Sequence, residues 1–155
     1  MSKIEAKLKE LGLELPEASV PVANYVPFKV VGNLVYISGQ TSKWAGELVH
    51  PGKLGKDLSL EEGREAARIC GLNLLVHLRN ACGGDLDKVK SCVKLGIFVN
   101  SVDTFTDQPL VGNGASDLMV EVFGDKGRHS RAAVSSNSLP GGVSVEVDAI
   151  FEVAL

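Results

Sequence analysis

The chain has 155 residues, of which 45% are hydrophobic and 23% charged, a balance that fits one soluble globular domain and excludes intrinsic disorder. Lys and Arg number 16 against 19 Asp and Glu, giving a net charge of −3, and aromatic residues make up only 5%. Broad binding to nucleic acid calls for a basic excess and exposed rings, so this composition argues against it. The three cysteines, Cys70, Cys82 and Cys92, form no C-x-x-C pair, which speaks for buried free thiols rather than a disulfide framework or a zinc knuckle. Met1 to Leu13 mixes Lys and Glu without an apolar signal region, and no apolar run approaches the roughly 18 residues of a membrane span. A cytoplasmic protein is the expectation.

In chain order, residues 2–12 read as an amphipathic helix, with Ile4, Leu8 and Leu11 on one face, Ser2 as its cap and Gly12 as its stop. Leu15 to Val22 carries prolines and should be irregular or extended. Tyr25–Val31 and Leu34–Ser38 read as a hairpin around Gly32-Asn33. Gly39 to Asp57 reads as a loop with room for strand fragments. Ser59-Leu60-Glu61-Glu62 is a capping box that opens a long helix running to Gly83-Gly84. Gly63 and Gly71 inside it are tolerable if they allow close packing against a sheet. Val89–Val99 alternates as a strand, Pro109–Phe123 reads as a second long helix, and Arg131–Val134 as a short strand. The last strand, Val143–Val153, places Val143, Val145, Val147, Ala149, Phe151 and Val153 on one face and Ser144, Glu146, Asp148 and Glu152 on the other. This order predicts an α+β domain, a mixed β-sheet with two long helices packed on one face and an additional N-terminal helix.

The carboxylates of that last strand need either water or a cation beside them. A hairpin-like return at Leu139–Gly142 would set Arg131 next to Glu146, so that the arginine could clamp a substrate carboxylate while the glutamate handles a proton or a water. His50, His77 and His129 lack ligand spacing, and no metal is expected. His77 falls in the helix pattern as a satisfied, partly buried residue, and His129 in a polar, solvated loop near the candidate site. No nucleophile elbow and no phosphate loop are present.

Asn24-Tyr25, the run Gly32-Asn33-Leu34-Val35-Tyr36-Ile37-Ser38-Gly39-Gln40, the junction Gly83 to Val89, Arg131-Ala132-Ala133-Val134, Leu139-Pro140 and Val145-Glu146-Val147-Asp148-Ala149 together resemble the RidA/YjgF reactive-intermediate deaminases, a family also labelled L-PSP endoribonuclease. The resemblance spans residues 18–155, which divides the chain into an N-terminal helical extension, 1–17, and a RidA-like domain, 18–155. It implies a chorismate-mutase-like fold, a homotrimer with clefts between subunits, and hydrolysis of small enamine or imine intermediates to 2-keto acids and ammonia without a cofactor. Carried onto this chain, it assigns the substrate carboxylate to Arg131, the water to Glu146, and cleft positions to Tyr25, Ser38 and Asn113. Ala133 stands where many deaminase members have Cys, which together with the N-terminal helix marks a divergent subgroup. Two alternatives accompany the enzyme reading: a trimeric module that binds small carboxylate metabolites and regulates a partner, and an endoribonuclease. No nucleic-acid partner and no membrane are expected.

Overall fold

A computed structural model describes residues 2–18 and 23–155. The N-terminal helix α1 (Lys3–Glu10) starts where Ser2 Oγ accepts from the Glu5 amide at 3.1 Å. Its first turn is tied to the body of the protein by Asp87, whose carboxylate accepts from the amides of Lys3 and Ile4, both at 2.9 Å. Leu8 is buried, and Ile4 and Leu11 pack against the core. Residues 15–18 form neither helix nor strand, as their sequence suggests; the remainder of the expected irregular stretch, 19–22, lies outside the described residues.

The first hairpin forms around Gly32-Asn33, but β1 (Phe28–Val31) begins three residues later than Tyr25. Pro27 has no N–H to extend the ladder; its carbonyl instead accepts from the Ser38 amide at 2.9 Å. Its partner β2 (Leu34–Thr41) runs past Ser38 because a bulge absorbs one residue: Ile37 faces Ala149, and the next pairing is Gln40 with Val147. The following loop contains the short strands β3 (Lys43–Trp44) and β4 (Glu47–Leu48). Helix α2 (Leu60–Ala81) opens with the capping box in full. Ser59 Oγ accepts from the Glu62 amide at 3.2 Å, and Glu62 Oε1 accepts from the Ser59 amide at 2.9 Å. Then come β5 (Val89–Asn100), α3 (Gln108–Phe123), β6 (Ser130–Ser136) and β7 (Val145–Val153).

The five long strands form one mixed sheet in the order β1-β2-β7-β5-β6. Only β5 and β6 run parallel, joined through α3. This corrects the expected β6–β7 hairpin: β5 lies between the two, pairing with β6 on one side and β7 on the other. Helices α2 and α3 cover one sheet face, burying Val145, Val147, Ala149, Phe151 and Val153 as the period-two pattern requires. The glycines of α2 serve other neighbours than the sheet. A Cβ at Gly71 would lie 2.7 Å from Leu118 Cδ2 of α3, and one at Gly63 would lie 2.8 Å from Leu54 Cδ1. No described helix covers the opposite sheet face, which presents Glu146, Asp148, Ile150 and Glu152 of β7 with Tyr36, Phe98, Ala132 and Val134 around them.

Candidate active site

The register decides which side of the sheet each candidate residue occupies. Arg131 pairs with Leu95, and Leu95 pairs with Ala149, both buried under the helices. Arg131 therefore points to the helix side, from the edge strand β6. Glu146 pairs with Thr41 and Phe98 and points to the uncovered side. Within one chain the arginine and the glutamate lie on opposite faces, so the expected side-by-side clamp does not form.

Two groups of residues result. The first surrounds Arg131. Its Nη1 donates to Ser116 Oγ at 3.0 Å and its Nη2 to the Pro109 carbonyl at 3.1 Å. Gly112 leaves space for it: a Cβ there would lie 3.2 Å from Nη1. Asn113 and Arg131 line one hollow of ≈ 280 Å³ with Ser116, His129 and Arg128, so the structure brings these two predicted residues together. Arg64, Arg68 and Arg128 each pair with a carboxylate, but Arg131 has only neutral partners among the described residues. It thus offers a fixed positive charge at the rim of a hollow that Asp117 also lines, with no carboxylate of the described residues at ion-pair distance.

The second group surrounds Glu146. Gly39, beside the bulge of β2, leaves the space its carboxylate fills; a Cβ on Gly39 would lie 2.9 Å from Glu146 Cδ and closer still to Oε2. Gly96 of β5 does the same for Asp148, where a Cβ would lie 3.1 Å from Cγ. Each carboxylate lies over a glycine of the neighbouring strand. Burial pushes the Glu146 carboxyl above its usual range, and the nearby Asp148 charge adds to the effect. Asp148 is raised by burial too, against the opposing pull of the Gly96 amide and Lys94. Ser38 Oγ donates to the Val26 carbonyl at 2.8 Å and so ties down the segment carrying Tyr25. Tyr25 is 52% exposed and lies in a bend rather than a strand.

Sequence reasoning missed Gly39, Gly96 and Ser116. A glycine inside a strand is the one signal that pointed to the first two. His129 is not a freely solvated loop residue: it is partly buried, with Nε2 2.9 Å from Ser116 Oγ and Nδ1 2.7 Å from the Gly127 carbonyl. His77 is fully buried and its Nδ1 has no partner among the described residues, so burial depresses its pKa. All three cysteines are free and buried, the Cys92 thiol being pushed up to about 12 by burial. Among the described residues no group of three His, Cys, Asp or Glu is placed to hold a metal, and no helix is long and apolar enough to cross a membrane. A hollow of ≈ 710 Å³ beside Trp44, lined also by Gln40, Thr41 and Asn73, contains none of the five predicted site residues.

Comparison with known proteins supplies the relationship. The family model described as "YjgF/chorismate mutase-like, putative endoribonuclease" matches residues 5–151. Protein TCP17 of Trypanosoma cruzi is 45% identical over 152 residues, covering 97% of this chain and 94% of that protein. The crystal structure of Atu1372, a protein of unknown function from Agrobacterium tumefaciens, superposes with a TM-score of 0.92 at 47% identity, over 97% of this chain and 92% of that one. A "putative endoribonuclease" from Shewanella oneidensis superposes with a TM-score of 0.93 at 35% identity, over 97% and 99% of the two chains. With the mixed sheet, its two covering helices and these matches over nearly the whole length, the chain belongs to the RidA/YjgF family.

Proposed function

We propose that the protein is a cofactor-free hydrolase of small 2-imino acids, acting as a homotrimer with its clefts between subunits. The observation that carries the reading is the partly buried Arg131 guanidinium, which has no carboxylate partner among the described residues and shares its hollow with Asn113. Two of its five N–H groups are taken by Ser116 and Pro109, which leaves three for a ligand carboxylate. Glu146 supplies the second requirement, a carboxyl that burial and the Asp148 charge make a stronger proton acceptor than an ordinary glutamate. Because the two residues occupy opposite faces of one sheet, a site holding both needs a second copy of the chain. The uncovered face with Tyr36, Phe98, Ile150 and Val134 is a surface that a neighbour would cover.

In the reaction, Arg131 orients the substrate by its carboxylate and Glu146 holds a water against the imine carbon. The water oxygen bonds to that carbon as the C=N electrons move to nitrogen, and Glu146 accepts the water proton. With the imine protonated at the outset, the adduct is a carbinolamine, and Glu146 returns the proton to its amino group. As the C–N bond breaks and ammonia leaves, the hydroxyl oxygen forms the C=O of the 2-keto acid, and its proton passes to Glu146 and on to the ammonia. The carbon is already electrophilic, so orientation of the two reactants is the main catalytic task.

Keto-acid release from 2-iminobutyrate, measured on the wild type and on Arg131→Ala, tests the proposal. The expected result is acceleration over buffer that the substitution abolishes; no acceleration, or an unchanged rate in the variant, refutes it. Light scattering should give three times the chain mass of 16.4 kDa. Ala133 favours a second reading, a binding module: it offers only a methyl group beside Gly112 on the Arg131 side of β6. Tight 2-oxobutyrate binding that depends on Arg131, with no turnover, would select it. RNA cleavage is disfavoured by the net charge of −3.

A further inference from the structure

A long cationic side chain loses rotamer freedom when a ligand fixes it, so an anchor held in place beforehand binds better than a mobile one. With His129 as a neutral imidazole, the contacts behind Arg131 form a chain in which each polar atom has one compatible role. The Gly127 carbonyl can only accept, so His129 Nδ1, 2.7 Å away, carries the hydrogen. A neutral imidazole protonated at Nδ1 presents an acceptor at Nε2, which lies 2.9 Å from Ser116 Oγ. The guanidinium can only donate, and its Nη1 reaches the same Oγ at 3.0 Å. The Ser116 hydroxyl therefore accepts from Arg131 and donates to His129. The far end of the chain is fixed as well: Gly127 sits so close to the Met119 carbonyl of α3 that no side chain would fit there. The second guanidinium nitrogen is set independently by the Pro109 carbonyl at the start of α3.

We propose that Ser116 and His129 are positioning residues that hold the Arg131 guanidinium ready for a ligand carboxylate. The inference rests on the proposed role of Arg131 as the carboxylate anchor. It makes a three-residue relay, from α3 through the loop after it to β6, part of the binding site although neither Ser116 nor His129 need touch the ligand.

Ser116→Thr and Ser116→Val test it, since the two side chains share a shape and differ in the hydroxyl. Calorimetric titration with 2-oxobutyrate is the readout, with Arg131→Ala as the reference and melting temperature as the control for folding. The expected result is about tenfold weaker binding for Ser116→Val, the scale of one lost hydrogen bond to a charged group, and near wild-type binding for Ser116→Thr. His129→Leu should weaken binding similarly, and His129→Gln, whose amide oxygen can accept from Ser116, should recover most of it. If Ser116→Val and His129→Leu bind like the wild type while Arg131→Ala does not bind, the relay is overturned and the anchor stands. If Arg131→Ala itself binds like the wild type, the anchor falls and the relay with it.

Discussion

Gly39→Ala isolates the contribution of Glu146 placement. The residue is not in the left-handed region, so alanine fits its backbone and the substitution tests only space. The new Cβ would stand 2.9 Å from Glu146 Cδ and 3.1 Å from Cγ, inside the 3.4 Å at which ordinary contact begins. Gly39 lies in the β2 bulge between the ladder pairs Ile37–Ala149 and Gln40–Val147, and the atoms it would meet are the far end of a flexible side chain, so the glutamate is what gives way. Its carboxylate must move by half an ångström or more, and further at Oε2. A catalytic group misplaced by about 1 Å can cost on the order of a hundredfold in rate, so a fall of roughly tenfold to a hundredfold in keto-acid release from 2-iminobutyrate is expected. Because a side-chain rotation relieves the clash, the melting temperature should stay close to that of the wild type. A variant that folds normally and turns over at the wild-type rate would refute the claim that the Gly39 gap sets the working position of Glu146.

Three further predictions follow from the same geometry. Gly114→Ala places a Cβ 2.8 Å from the Arg64 carbonyl carbon, where backbone rather than a side chain must yield; separating α2 from α3 should cost roughly 3 kcal/mol and lower Tm by about 6–12 °C in a thermal melt. Glu146→Gln should abolish turnover yet match or exceed wild-type stability at neutral pH. The raised folded pKa means that wild-type stability grows as pH falls through it toward the ordinary value of 4.5, and the glutamine variant, lacking that slope, should lose its advantage there. Asp87 has the opposite sign: the Ile4 and Lys3 amides hold its pKa below 3.8, so its support for α1 is complete above 3.8 and is lost as pH falls through the lowered value. Helix protection by hydrogen exchange in Asp87→Ala should therefore drop near neutral pH and converge with the wild type in acid.

Much of the fold was legible because its signals are local. Ser2, the Ser59–Glu62 box, Gly12 and the Gly32-Asn33 turn act on neighbours a few residues away, and each ended up where the pattern put it. The alternation of β7 correctly separated Val145, Val147 and Ala149 from Glu146 and Asp148, since a period of two belongs to any strand with one buried face. β propensity alone extends the first strand back to Tyr25, but the missing N–H of Pro27 starts it at Phe28. The continuation of β2 past Ser38 was missed because a bulge breaks the alternation while leaving the pairing intact.

The sequence by itself determined most of the elements and the two chemically distinct faces of β7, while Tyr25, Ser38 and Asn113 join Arg131 and Glu146 as candidates only through the resemblance to a known family. Only the tertiary structure decided that β5 enters between β6 and β7, which moved Arg131 to the helix side and left Glu146 on the open side. Alternation tells which residues share a face within one strand, but it does not say which strands are neighbours or in which direction they run. That choice belongs to long-range pairing, made here by a parallel crossover through α3, and it separates the arginine and the glutamate across the sheet.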